Sequence, residues 1–129
     1  MPARRVERIR YAAPALDKGL DILELFASEP AGLTASEAAR RLGRTVGEIF
    51  RMLVCLEERG YISQSGADER FELTLKLFEL AHRHPPLHRL VAEARPLMEE
   101  VAHETGQSCH LAMLSNGEVI VVAQVDAPR

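Results

Sequence analysis

Arg51, with Thr45, Gly47 and Glu48 just before it and Arg40, Arg41 and Arg44 a little further upstream, is the group of residues in this chain best equipped for chemistry. The chemistry is recognition. A guanidinium presents a planar fork that bonds guanine or phosphate in bidentate fashion. Gly47 lets a backbone come close to a ligand. A carboxylate such as Glu48 can accept from cytosine N4, but at this spacing it also serves as a helix cap. Arg40, Arg41 and Arg44 suit phosphate contact or plain surface solubility. Thr34, Ser36 and Arg70 complete the candidate DNA-contacting set.

Other reactive residues form no such group. His82, His84 and His88 cross Pro85-Pro86, and the stretch HRHPPLH supplies no Cys, Asp or Glu to complete a zinc set. Cys109 and His110 are adjacent, so on a strand they point to opposite faces and cannot pair. Phosphate-loop, dinucleotide and nucleophile-elbow patterns are absent from the sequence. The reading is therefore non-enzymatic, with no metal and no cofactor.

The elements that must position Arg51 are written in LTASEAARRLGRTVGEIFRMLVCLEERGYI, residues 33–62. Thr34 with Glu37 and Thr45 with Glu48 are two capping boxes, in which a hydroxyl takes an orphan amide and the carboxylate reaches back. Helix two is expected to end at Gly43. Helix three is expected from Thr45 to Arg59, with Gly60 as its C-terminal cap. Helix, glycine-bearing turn, helix is the form of a helix-turn-helix, whose second helix can enter a major groove. Projection at 100° per residue buries Val46, Ile49, Met52, Leu53 and Leu56, sets Phe50 at the edge, and turns Gly47, Glu48, Arg51, Val54, Cys55 and Glu58 outward.

Helix one is expected over 15–28. Its broad apolar stripe (Leu16, Leu20, Ile22, Leu23, Phe26) leaves Leu25 outside, a pattern suited to a helix that packs on its own core and on a partner. After helix three, Tyr61–Gln64 and Arg70–Leu73 read as strands around a polar loop, which makes the form winged, with Arg70 placed to meet the DNA backbone. A helix from Thr74 to about His82 is stopped by Pro85-Pro86. A short helix near 87–94 and a new one opened by Pro96 follow, the latter with Leu97, Met98, Val101 and Ala102 inward. Two apolar strands around Asn116-Gly117 end the sequence as a hairpin.

Composition agrees. The chain has 129 residues, 47% of them hydrophobic, and a net charge of −3. Residues 1–60 carry ten Lys/Arg against nine Asp/Glu, and 61–129 carry six against ten. Arg4, Arg5, Arg8 and Arg10 form a basic arm over 1–14, expected to be flexible, which suits contact with phosphate at one end. Two unpaired cysteines suit a reducing cytoplasm. No apolar run reaches the roughly 18 residues of a membrane span, and no signal-peptide core follows the arginines.

The stretches ALDKGLDILELF, LTASEAARRLG, EIFRMLVCLEERGYI, FELTLKLFELA, ARPLMEEVAHETGQSCHLAML and GEVIVVAQVDAPR resemble the IclR family of bacterial transcriptional regulators. The resemblance implies an α+β chain: a winged helix-turn-helix domain over 15–73, a linker helix over 74–86, and the incomplete N-terminal part of an α/β effector-binding domain over 87–129. It also implies dimers, formed partly by helix one and the linker helix, on a pseudo-palindromic double-stranded operator. A small-molecule effector is expected only where the rest of the effector domain is present, since 87–129 cannot build a closed pocket. Family members of this type are about twice as long, so the expectation is a fragment or a protein that has lost its sensor. Arg51 matches the family's arginine. Thr45-Val46-Gly47-Glu48 replaces a Pro-Lys-Ser-Thr-like run, so operator preference does not carry over. A family-like frame would also start helix three one residue earlier, with Thr45 inside it. The competing reading is a non-catalytic winged-helix module that binds protein and pairs with full-length relatives.

Overall fold

The structure is a computed structural model, described over residues 12–129. The arginines of the basic arm lie outside the described residues. The chain divides into two compact units, one ending at Lys76 and the other beginning at Leu77.

In the first unit, α1 spans Pro14–Ala27, α2 Ala35–Leu42 and α3 Val46–Glu58. Strands β1 (Ile62–Ser65) and β2 (Arg70–Leu73) pair antiparallel, with Ile62 opposite Leu73 and Ser65 opposite Arg70. Pro14 occupies the first turn of α1, where a missing N–H costs nothing. Ile22 and Phe26, four residues apart, bury one stripe of α1 against Ala38 and Ala39 of α2, Ile49 and Leu53 of α3, and Leu33, Ile62 and Phe71. Leu25 is not a stray surface leucine. It packs against this cluster, because the core wraps further round α1 than a single stripe allows.

Leu33 forms a single antiparallel β-bridge with Phe71. Its N–H donates to the Phe71 carbonyl at 3.0 Å, and Phe71 N–H donates back at 2.8 Å. The polar loop between the strands contains a 3₁₀ turn over Gly66–Asp68. Tyr61 accepts from Thr74 N–H at 3.0 Å and closes the base of the hairpin.

The second unit begins within α4, which spans Lys76–Arg83, and continues with α5 (Pro85–Thr105), β3 (Cys109–Ser115) and β4 (Glu118–Val125). Pro85 and Pro86 do separate α4 from α5, as the opening residues of the latter. Pro96 does not start a new helix. It lies inside a continuous α5 of 21 residues, on the solvent side, where the carbonyl it leaves without a helical donor faces water. Met98 and Ala102 are buried, but Leu97 (64% exposed) and Val101 (48%) are not. An i, i+4 pair faces the hairpin, and residues one position earlier are turned about 100° away. Asn116 and Gly117 have φ of 50° and 79°, the left-handed pair of a two-residue hairpin turn. A bulge follows Leu111, and Ala123 is the buried residue of β4.

Among the glycines of the described residues, Gly32 (φ +74°) is the one where an added Cβ would meet other atoms. A Cβ there would lie 2.5 Å from the Phe71 carbonyl oxygen. Gly32→Ala should therefore lower stability by at least about 2 kcal/mol, from left-handed strain plus the displaced Leu33–Phe71 pairing. Thermal melts of the two proteins check this; equal midpoints would refute it.

Candidate nucleic-acid interface

The interface is built on two helix starts and the turn between them. Thr34 Oγ1 accepts from Glu37 N–H at 3.2 Å, and the Glu37 carboxylate accepts from Thr34 N–H at 3.2 Å. Gly43 ends α2 in the left-handed region (φ 64°), and Arg44 N–H donates back to Ala39 at 3.0 Å. Thr45 then caps α3: its Oγ1 accepts from Glu48 N–H at 3.3 Å, and Glu48 accepts from Thr45 N–H at 3.4 Å. Helix three thus starts at Val46, with Thr45 outside it as the cap.

Ile49 and Leu53 anchor α3 in the core, while Gly47, Glu48 and Arg51 face solvent. Arg51 and Arg40 are exposed and, among the described residues, make no ion pair. The other cations are engaged. Arg41 pairs with Glu29, and the Arg44 guanidinium lies 4.0 Å from Asp21. These are solvent-facing pairs of small individual worth, so phosphate could compete for either arginine. Ser36 is exposed in the first turn of α2, beside the Thr34 cap.

Arg70 is bonded within the fold. Its guanidinium donates to both Glu37 carboxylate oxygens at 3.2 Å and to the Gly32 carbonyl at 3.1 Å. That commits it to holding the wing on α2 rather than reaching outward from the wing. Sequence reading missed this pair, because 33 residues separate its partners and the local pattern of Glu37 points only to the Thr34 cap.

Two further departures concern α3. Val46, expected in the core, is 48% exposed, and Phe50, expected at its edge, is 52% exposed. Hydrophobic projection assigns apolar residues inward and carries no signal for an apolar side chain held in water. The second departure is Lys18 on α1, whose ammonium lies 3.3 Å from Glu48. Lys18, with help from the Thr45 amide, holds the Glu48 carboxyl below its ordinary 4.5. Glu48 therefore caps the helix and ties it to α1. Among the described residues no group of three His, Cys, Asp or Glu is arranged to hold a metal ion; His82 instead bonds the Phe78 carbonyl at 3.0 Å and stacks on that ring.

A capped helix, a left-handed glycine turn, a second capped helix and a hairpin bridged to Leu33 define the winged helix-turn-helix class. Residues 15–66 match the IclR helix-turn-helix domain, and residues 86–129 match the bacterial transcriptional regulator IclR C-terminal domain. The chain belongs to the IclR family. It is 31% identical to the HTH-type transcriptional regulator BhcR of Paracoccus denitrificans, over 87% of this chain and 40% of that protein. It is 29% identical to the glycerol operon regulatory protein of Streptomyces coelicolor, over 88% and 45%. Among solved structures, an IclR homologue from Microbacterium hydrocarbonoxydans complexed with 4-hydroxybenzoate superposes with a TM-score of 0.73 at 27% identity, over 88% of this chain and 47% of that one. The chain thus spans between two fifths and one half of the length of these relatives.

Thr45→Ala should destabilise the start of α3 by about 1 kcal/mol, seen in a side-by-side thermal melt; a silent change would mean that the cap is not used. A pH effect accompanies it. Because the folded-state pKa of Glu48 is depressed, its contribution is complete above the unfolded value near 4.5 and is lost as pH falls through the lower folded value. Glu48→Gln should remove that part of the acid dependence of the melting temperature; an unchanged acid limb would refute it.

Proposed function

We propose that this chain carries the DNA-binding part of a transcriptional regulator that binds a pseudo-palindromic duplex as a dimer, with one α3 in the major groove of each half-site. The observation that supports it is the outward face of α3, where Arg51 stands exposed and free of ion pairs, among the described residues, opposite the buried Ile49 and Leu53. On this reading Arg51 contacts bases, while Gly47 permits close backbone approach. Arg40, Arg41, Arg44 and the hydroxyls of Ser36 and of the caps Thr34 and Thr45 lie toward phosphate. Glu48 is a cap, and Arg70 positions the wing.

Dimer formation is supported by α1. Leu16 and Leu20 are 62% and 48% exposed, and with Gly19, Leu23, Met52 and Leu56 they line an apolar groove of about 340 Å³. Exposed contiguous apolar surface of this kind marks an interaction site. Within this proposal residues 15–73 are the DNA-binding domain, 74–86 the linker helix and 87–129 the start of the effector-binding domain. Effector response would need residues equivalent to the remainder of the longer relatives, one of which holds 4-hydroxybenzoate. The free thiols Cys55 and Cys109 suit work in a reducing cytoplasm.

Binding to an operator selected from a random duplex pool should weaken steeply with salt, with a log–log slope near −0.9 per phosphate neutralised. Arg51→Ala should cost about 1–3 kcal/mol of specific binding per half-site and leave the melting temperature unchanged. Titrations of parent and variant on selected and scrambled duplexes decide it. Parent-like affinity would show the DNA face wrongly assigned, and salt-independent binding or none would favour a protein-binding module.

A further inference from the structure

Two apolar side chains stand in water at the start of the proposed reading helix. Val46 and Phe50 are about half exposed, and neither belongs to the core cluster or packs against it. Val54, one turn further, is 37% exposed. At about 100° per residue, Val46, Phe50, Val54 and Gly47 fall in sequence within about 100° of helix surface, and Arg51 follows about 40° on. Met52 and Leu56, which line the groove with α1, lie on the other flank. Gly47 adds no side chain that would screen its neighbours, and a Cβ built there meets nothing within 4 Å. Single exposed apolar residues are ordinary, but this is a contiguous strip beside an arginine free of ion pairs among the described residues.

A major groove offers one apolar feature, the C5-methyl of thymine, and beside it the guanine O6 and N7 that suit an arginine fork. The strip and Arg51 match that pairing in chemistry and order, and the cations Arg40 and Arg44 on the preceding helix and turn complement the phosphates that flank it. We propose that Val46 and Phe50 read thymine C5-methyl groups next to the base held by Arg51. This rests on the DNA-binding reading and specifies which feature of the duplex is recognised. Where the family resemblance leads one to expect a lysine and hydroxyls, this chain places an apolar contact, so its half-site carries thymine at the positions facing Val46 and Phe50.

Uracil keeps every hydrogen-bonding group of thymine and lacks only the methyl, which makes it the probe. An operator selected from a random duplex pool by the full chain is remade with uracil for thymine, first throughout and then one position at a time. Burial of one methyl predicts about four-fold weaker binding for each contacted thymine in a half-site, and about fifteen-fold when both half-sites are changed. Val46→Ala and Phe50→Ala should weaken binding to the thymine operator and lose the sensitivity to uracil. Both positions are solvent-facing, and thermal melts confirm that the variants fold. Equal affinity for the two operators overturns this inference and leaves the DNA-binding reading standing. Sensitivity to uracil that persists undiminished in both variants also overturns it, since the methyl would then act through duplex deformability. No salt-dependent binding to any duplex overturns both readings.

Discussion

The first unit depends on the fastening between the segment before α2 and strand β2. Leu33 and Phe71 exchange two backbone hydrogen bonds, and Gly32 brings the chain in so close that no Cβ fits. Arg70 completes the fastening by gripping Glu37 and the Gly32 carbonyl. Glu37 thereby does two things at once: it caps α2 at Thr34 and receives the wing. A two-stranded hairpin is marginal in water by itself. The wing is stable here because a third pairing and an ion pair join it to the helices, and because Phe71 and Ile62 enter the same core as Ile22, Ile49 and Leu53.

That fastening explains how the polar residues are divided. The ion-paired arginines of α2, the turn after it and the wing fall into two sets. Arg70 holds the wing with several part-buried hydrogen bonds, where a charge-assisted fork is strong. Arg41 and Arg44 each meet one acidic partner in a partly exposed single pair, and such a pair is weak. A guanidinium held by three bonds is poorly available to a ligand, whereas one held by a single ion pair can exchange it for phosphate at little cost. Lys18 belongs with the structural set, since it links α1 to the capping carboxylate of α3.

Much of this was legible in the sequence where the signal was local. The capping boxes at Thr34 and Thr45 need three-residue spacing and nothing else, and the structure shows both complete. Asn116-Gly117 announced its turn in the same way. Long-range pairs were not legible: Glu37–Arg70 and Lys18–Glu48 span 33 and 30 residues. Projection also failed at Val46, because a helix pattern counts apolar residues and cannot tell a buried apolar position from an exposed one. Leu25 failed in the opposite sense, because α1 is enclosed on more than one side. Pro96 misled because the rule for proline is local, while a helix of 21 residues packed on a hairpin can absorb one missing bond on its solvent side.

The orientation of Arg51 follows from the core, since among the described residues its side chain makes no hydrogen bond or ion pair. Ile49 and Leu53 are both fully buried, and they fix the rotational phase of α3. Arg51 is two residues from each, about 200° round from one and about 160° from the other, so it points away from both. The Thr45 cap sets where the helix begins, and hence that Arg51 lies in its second turn. Phase and start are therefore set by separate devices, one by apolar burial and one by a hydroxyl and a carboxylate. Side chains on the outer face other than Glu48 can change without disturbing either device. A family that keeps this scaffold can alter what α3 presents, and here it presents valine, glycine and phenylalanine beside the arginine.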